Sequence, residues 1–268
     1  MPSIRPKKRF GQNFLKDQSV IRAILEAAEL DPGDQIVEIG PGLGALTENM
    51  VGQTSRLLLL EVDRDIAALW RKRDEDGLQV VEGDALSLDW NEQLHPGPWK
   101  MVANLPYNIS SQVVFKILEH RDMFTRMVLM FQREVAERLA ASPGGKNYGI
   151  LSVLCQVWFD IRKVVRVAPG AFFPPPKVES MVLCFDRLPS PRVEIADEPF
   201  FLKVVKAAFA QRRKTLRNTL TGAGFSREQV GQGLEMASID PQRRGETLTL
   251  EEFARLSAAL NSLSVDHG

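Results

Sequence analysis

The segment Glu38-Ile-Gly-Pro-Gly-Leu-Gly-Ala45 constrains this chain more than any other. Gly40, Gly42 and Gly44 follow a short apolar run, Gln35–Ile39, and lead into Ala45–Val51, whose pattern is helical. Glycine there lets the backbone turn tightly and approach a ligand where a Cβ would clash. A strand, a glycine turn and a helix in that order predict an α/β fold that holds a nucleoside. The spacing does not choose the nucleoside. Gly40-x-Gly42-x-x-Ala45 fits the relaxed dinucleotide fingerprint, with Glu61 about twenty residues on at a strand end. A carboxylate at Glu61 can accept ribose hydroxyls from either nucleoside, so NAD and S-adenosylmethionine stand level on this segment alone.

The alternation continues along the chain. Helices are predicted over Val20–Leu30, Ile66–Lys72, Ser111–Glu119 and Arg133–Ala141. Strands are predicted over Leu57–Val62, Leu78–Val81, Met101–Asn104 and Met127–Phe131. Strands spaced by helices of this length imply a parallel sheet covered on both faces, with ligands along one edge. After Gly149 the pattern changes. Ile150–Val157 reads as a helix, and Ile161–Val167 and Ser180–Phe185 as strands around Phe173-Pro-Pro-Pro-Lys177. The proline-rich stretch Leu188–Pro199 marks a domain boundary. Beyond it Phe200–Ala210, Lys214–Thr221, Arg227–Leu234 and Leu250–Leu260 are helical, the last capped by Thr249 with Glu252 three residues on. The expected division is a larger α/β domain over 1–190 and a smaller all-helical domain over 191–268.

Composition narrows the class. A chain of 268 residues, 44% hydrophobic and 25% charged, has the make-up of a soluble globular protein with room for two domains. Cys155 and Cys184 match no metal or redox spacing, and a reduced cytoplasmic compartment is the simplest reading. Arg5, Lys7, Lys8 and Arg9 are followed by no apolar h-region, which argues against a signal peptide. Apolar runs such as Leu57–Leu60 are too short to span a bilayer. His95, His120 and His267 fall in no catalytic or metal spacing, so no metal is expected. The formal net charge of zero argues against a general nucleic-acid coat. Even so, the basic residues cluster, in 5–9 and again in Lys203, Lys206, Arg212, Arg213, Lys214 and Arg217. For either run a solvated face is the ordinary alternative to a role in binding phosphate.

Three features favour S-adenosylmethionine over NAD. Glu38 stands two residues before the first glycine, where methyltransferases of this fold often carry an acid toward the methionine end; a strand-end surface acid is the plainer reading. Asp84 in Glu82-Gly-Asp-Ala85 is placed to accept from an adenine amine, although Asp before Ala-Leu is also a common helix cap. Asn104-Leu-Pro-Tyr107 closes the fourth strand on the same edge, and a dehydrogenase has no evident use for it. Asn104 Oδ1 and the Leu105 carbonyl can accept from an exocyclic amine, Pro106 fixes the turn, and Tyr107 offers a stacking ring. The alternative is an ordinary strand-to-loop turn with a packing tyrosine. Phe172 can form the opposite wall of a base slot or sit in the core.

Six segments together carry a specific resemblance: Lys8-Arg-Phe-Gly-Gln-Asn-Phe-Leu15, Glu38–Gly44, Asn104-Leu-Pro-Tyr-Asn-Ile-Ser110, Gln132-Arg-Glu-Val-Ala-Glu-Arg138, Phe172-Phe-Pro-Pro-Pro-Lys-Val178 and Gln211-Arg-Arg-Lys-Thr-Leu-Arg-Asn218. Over nearly its full length the chain resembles the KsgA-type small-subunit ribosomal RNA adenine dimethyltransferases. The resemblance implies a Rossmann-like class I methyltransferase sheet with a helical tail. It implies two methyl groups from S-adenosylmethionine on each of two adjacent adenosines in a hairpin loop near the 3′ end of the small-subunit rRNA. Gln12, Asn13 and Leu15 would border the cofactor, together with Glu38, Gly40, Gly42, Gly44 and Asn104. Glu61 would hold its ribose, and Asp84 with Ala85 would meet its adenine. Asn104, Leu105, Tyr107 and Phe172 would hold the target. The partner would be an immature small subunit, bound by a cytoplasmic monomer. Three other readings stay open: the erythromycin-resistance class acting on large-subunit rRNA, a docking factor with secondary catalysis, and an NAD-linked oxidoreductase. If Arg212, Arg213 and Lys214 bind phosphates, neutralising them will make the fall of rRNA affinity with salt shallower. The log–log slope should drop by about 0.7–0.9 for each phosphate that no longer has its cation. Fluorescence anisotropy on an rRNA fragment across a salt series measures this; an unchanged slope refutes phosphate binding by these residues.

Overall fold

The computed structural model describes Lys7 and residues 12–265. Its elements in chain order are β1 (Phe14–Leu15), α1 (Gln18–Ala28), β2 (Gln35–Ile39), β3 (Arg56–Glu61), α2 (Arg64–Arg71), β4 (Leu78–Glu82), α3 (Trp90–Gln93), β5 (Trp99–Asn104), α4 (Ser110–Glu119), β6 (Phe124–Gln132) and α5 (Arg133–Leu139). There follow α6 (Ile150–Trp158), β7 (Phe159–Val167), β8 (Phe172–Phe173), β9 (Ser180–Arg187), α7 (Glu198–Phe209), α8 (Leu216–Gly222), α9 (Arg227–Met236) and α10 (Leu250–Val265). The chain divides into two compact units, one of Met1–Ala136 with Asp160–Arg187, the other of Glu137–Phe159 with Leu188–Gly268.

The first unit holds a seven-stranded sheet in the order β4-β3-β2-β5-β6-β9-β7. Strands β2 to β6 pair in parallel, as their spacing predicts. Strand β9 runs antiparallel to β6, from Arg126↔Asp186 to Gln132↔Ser180. The connection from β7 to β9 carries no crossover helix, and only parallel neighbours need one. The central strands β2 and β3 are buried at nearly every position, with Ile36, Val37 and Leu57 to Leu60 all in the core, as strands covered on both faces must be. Helix α1 sends Val20, Ile21, Ile24, Ala27 and Ala28 into this core. It starts at Asp17, whose carboxylate accepts from the Ser19 and Val20 amides at 2.9 and 3.3 Å. A separate two-stranded ladder pairs Phe14 with Phe173 and Leu15 with Phe172.

The segment after the glycine loop departs from the expected helix. Only Thr47–Asn49 forms a helical turn, of the tight 3₁₀ kind. The Asn49 side-chain amide donates to the Ala45 carbonyl at 3.0 Å, and such local side-chain bonds compete with the helical ladder.

The second unit includes Glu137–Phe159, which the sequence pattern assigns to the α/β domain. Helix α6 is almost wholly apolar, and its partners lie in this unit. Gln156 Nε2 donates to the Leu139 and Ala141 carbonyls at 2.9 and 2.8 Å, and the Arg192 amide donates to the Val157 carbonyl at 2.9 Å. Tyr148 meets Phe209 edge-on with ring centroids 6.0 Å apart. Helix α10 begins with the expected reciprocal cap. The Thr249 amide donates to Glu252 Oε2 at 2.9 Å, and the Glu252 amide donates to Thr249 Oγ1 at 3.3 Å. Gly245 lies where a Cβ would stand 2.5 Å from the Ala208 carbonyl oxygen, which cannot swing aside. Gly245→Ala is therefore expected to destabilise this unit by about 1–3 kcal/mol, read as a lower urea midpoint by circular dichroism.

Candidate active site

Strands β2, β3, β4 and β5 end on one edge of the sheet, and the loops leaving them enclose a cavity of about 440 Å³. Gln12, Asn13, Leu15, Glu38, Gly40, Gly42, Gly44, Glu61, Asp84, Ala85, Asn104, Leu105 and Tyr107 all line it. The glycine loop forms its floor, with φ of +69°, +53° and +92° at Gly40, Gly42 and Gly44. A side chain at Gly42 would press on the Phe14 ring at 3.0 Å, and one at Gly44 would collide with Trp70 at 2.6 Å. The sequence positions of these glycines are thus fixed both by backbone strain and by close packing.

Two buried carboxylates stand at the strand ends. Glu38, 2% exposed, accepts a hydrogen bond from Thr47 Oγ1 at 2.7 Å. Burial pushes its carboxyl up to about 8, opposed by the Thr47 bond and aided by the nearby charge of Glu61. Burial also raises Glu61, although the amides of Asp63, Gly42 and Val62 donate to it, Asp63 at 2.8 Å. Carboxylates removed from water favour a ligand that brings hydroxyl donors or a cation. S-adenosylmethionine has both, a ribose diol and a positively charged methionine end, so the donor set fits that cofactor. Asp84 is also the local turn-former of its alternative reading, since Oδ1 accepts from the Leu86 amide at 2.9 Å while the residue faces the cavity.

At the other end of the cavity Asn104 Nδ2 donates to the Asn13 carbonyl at 3.2 Å. A carbonyl can only accept, so this hydrogen bond fixes the amide orientation and leaves Oδ1 as an acceptor. The Tyr107 hydroxyl lies 2.5 Å from Ser180 Oγ, and Ser110 Oγ donates to the Tyr107 carbonyl at 3.2 Å. Both ends of this tyrosine are therefore held. Ser180, fully buried at the start of β9, carries no signal in the sequence because its partner is 73 residues away.

Phe172 takes the core alternative left open by the sequence. It is 1% exposed and packed in the core, whereas Phe173 is 62% exposed and lines the cavity. Successive strand residues face opposite ways, so the two rings of this doublet are turned to different surroundings. The β1–β8 register decides which ring lines the cavity.

The basic residues separate. Arg5, Lys8 and Arg9 lie outside the described residues. Lys7 is not a free cation for phosphate: its Nζ sits 2.7 Å from Asp63 and 2.6 Å from Asp65. Gln12 joins this cluster through Asp63 at 3.1 Å, and its Oε1 accepts from the Lys7 amide at 2.8 Å. The reason is Asp63, whose carboxylate is 1% exposed and draws a cation and an amide to replace lost water. In the second unit Arg212, Arg213 and Lys214 form an exposed turn between α7 and α8, with Arg217 exposed on α8. Arg212 also donates to the Lys146 carbonyl. Among the described residues no group of three or more His, Cys, Asp or Glu is placed to hold a metal, and no helix is long and apolar enough to cross a membrane.

The family model for ribosomal RNA adenine dimethylase matches residues 4–262. The chain belongs to this family. Ribosomal RNA small subunit methyltransferase A of Syntrophotalea carbinolica is 63% identical over 253 residues, covering 94% of this chain and 96% of that protein. Its namesake in Geobacter metallireducens is 48% identical, covering 97% of each. Among solved structures, a dimethyladenosine transferase from Plasmodium falciparum superposes with a TM-score of 0.81 at 27% identity, over 94% of this chain and 98% of that one. The 23S rRNA methyltransferase ErmE superposes with a TM-score of 0.71 at 26% identity, over 93% and 100%.

In this ribosomal RNA adenine dimethylase, Glu38 has a stability signature of its own. A carboxyl raised from 4.5 unfolded to about 8 folded contributes stability in full below pH 4.5 and loses it as pH rises toward 8. Glu38→Gln should therefore lose less unfolding free energy than the native chain between pH 5 and 8, measured by urea titration without ligand. Equal losses would contradict the burial argument.

Proposed function

We propose that this chain transfers methyl groups from S-adenosylmethionine to the 6-amino groups of two adjacent adenosines in the 3′-terminal hairpin loop of small-subunit rRNA, two to each base. The family match and the names of the relatives at 63% and 48% identity support this target. The observation that carries the chemistry is Asn104, tied through Nδ2 to Asn13 and facing the glycine-loop cavity with an acceptor oxygen.

Bound S-adenosylmethionine supplies an electrophilic methyl carbon on a sulfonium. In this reading Glu61 accepts the ribose hydroxyls, Asp84 and Ala85 border the adenine, and Glu38 faces the methionine end. An adenine amine is a weak nucleophile because its lone pair is delocalised into the ring. Asn104 Oδ1 and the Leu105 carbonyl accept its hydrogens and favour a pyramidal nitrogen with the lone pair free. The rings of Tyr107 and Phe173 offer stacking worth about 1–3 kcal/mol per base, comparable to the few kcal/mol needed to extrude a base. Positioning of this kind can supply about 7–11 kcal/mol of barrier lowering, so no strong base is required. After the first transfer, and loss of one proton from the cationic nitrogen to water, the amine keeps one hydrogen, whose hydrogen bond Asn104 can still accept while the new methyl takes the other rotamer.

A recessed cavity demands a loop free of its mature contacts, which supports an immature small subunit as substrate. One copy of the chain carries every residue of the acceptor corner, which supports a monomer. Exposed Arg212, Arg213, Lys214 and Arg217 would bind phosphates. Labelled S-adenosylmethionine should deliver about four methyl groups to each unmodified small subunit and none to large subunits. Asn104→Ala should lower the rate by about 10²-fold or more, as expected when positioning groups are removed. Incorporation into large subunits alone would move the target to that of the erythromycin-resistance class.

A further inference from the structure

Two tryptophans stand behind the wall of the cavity without lining it, and each donates its indole N–H to a backbone carbonyl of a different loop. Trp70, on α2 and 2% exposed, donates to the Gly42 carbonyl at 3.0 Å. Its ring fills the space that a side chain at Gly44 would need, and the Arg73 guanidinium covers it at 5.5 Å. Trp90, on α3 and fully buried, donates to the Ala85 carbonyl at 3.0 Å. Its ring is enclosed by Phe124 and His120, with Lys116 Nζ 5.1 Å from its centroid. Lys116 in turn donates to the carbonyls of Leu86, at 2.9 Å, and Leu88. The loop that follows β4 is thus clamped at the carbonyls of Ala85, Leu86 and Leu88.

We propose that Trp70 and Trp90 are positioning residues for the cofactor, each holding the backbone of one loop that receives it: the glycine loop for Trp70, the Asp84–Ala85 loop for Trp90. The inference rests on the S-adenosylmethionine reading of the cavity. An indole N–H is a donor with no acceptor capacity and a rigid ring behind it, so it fixes both the place and the direction of the carbonyl it meets. With that carbonyl turned to the interior, the loop presents to the cavity the amides and the carboxylate on its other side. Without the clamp each loop samples other peptide orientations, and the bound conformation becomes a fraction of the free ensemble, which weakens affinity in proportion.

The molecule contains its own control. Trp99, also fully buried, donates to the Leu94 carbonyl at 2.7 Å under the Arg56 guanidinium, but Leu94 does not line the cavity. Trp70→Phe, Trp90→Phe and Trp99→Phe each keep an aromatic ring and remove one buried donor, so all three should lose thermal stability. Only the first two should weaken S-adenosylhomocysteine, by about tenfold in Kd, or about 1.4 kcal/mol, in calorimetric titrations of the full chain. In methyl transfer both should raise KM for S-adenosylmethionine while kcat at saturation stays within about twofold, as expected when binding alone is impaired. Lys116→Met loosens the second loop while leaving the Trp90 indole N–H and its Ala85 acceptor in place, and should weaken the same ligand, so the test survives if a tryptophan variant fails to fold. Unchanged Kd in the folded Trp70, Trp90 and Lys116 variants, or an equal rise in Trp99→Phe, would overturn the proposal. A native chain that does not bind S-adenosylhomocysteine would overturn the cofactor reading itself, and this inference with it.

Discussion

Strand β2 is flanked in parallel by β3 on one side and β5 on the other, and the site depends on that arrangement. The chain winds outward through β3 and β4, then returns to β2 and winds the other way through β5 and β6. Where the winding reverses, successive loops diverge and leave a crevice at the strand ends. Glu38 and Glu61 come from adjacent strands, and Asn104 comes from the strand on the opposite flank. A carboxylate pair and an amide are thereby brought to one cavity from positions 23 and 66 residues after Glu38 without any long loop.

The parts of this fold that could be read from sequence are those with local causes. The parallel strands announce themselves by short apolar runs spaced by helical patterns, the glycine loop by backbone demands only glycine meets, and the start of α10 by a reciprocal cap four residues long. What could not be read depends on pairings between distant residues. Phe172 and Phe173 are chemically identical neighbours, and only the ladder with Phe14 and Leu15 sorts them into core and cavity. Lys7 reads as one member of a basic run until Asp63, 56 residues away, claims it. Helix α6 has the apolar composition of an α/β core element, yet its hydrogen bonds run to residues of the helical unit.

The short β1–β8 ladder explains why separated motifs belong together. It anchors Phe14 beneath Gly42 and holds Leu15 against the core, and the preceding residue, Asn13, then meets Asn104. Gln12 extends the same run to Asp63, the residue that caps α2 just beyond β3. Residues 12 to 14 thus touch, in order, Asp63, Asn104 and the glycine loop. The family's first motif and its proline-turn motif are two halves of one ladder.

If Asn104 meets the target base as proposed, the grip of Asn13 on it also bears on what the site can refuse. Turning the amide to face a base with its nitrogen would break the hydrogen bond from Nδ2 to the Asn13 carbonyl. A base whose edge carries a carbonyl, as guanine and uracil do, would set one lone pair against another. Such a clash persists however well the ring fits, whereas an amine meets the opposite polarity. In the proposed reading, the choice between an amine and a carbonyl at that edge follows from the direction of a single amide, held by a peptide carbonyl in another part of the chain.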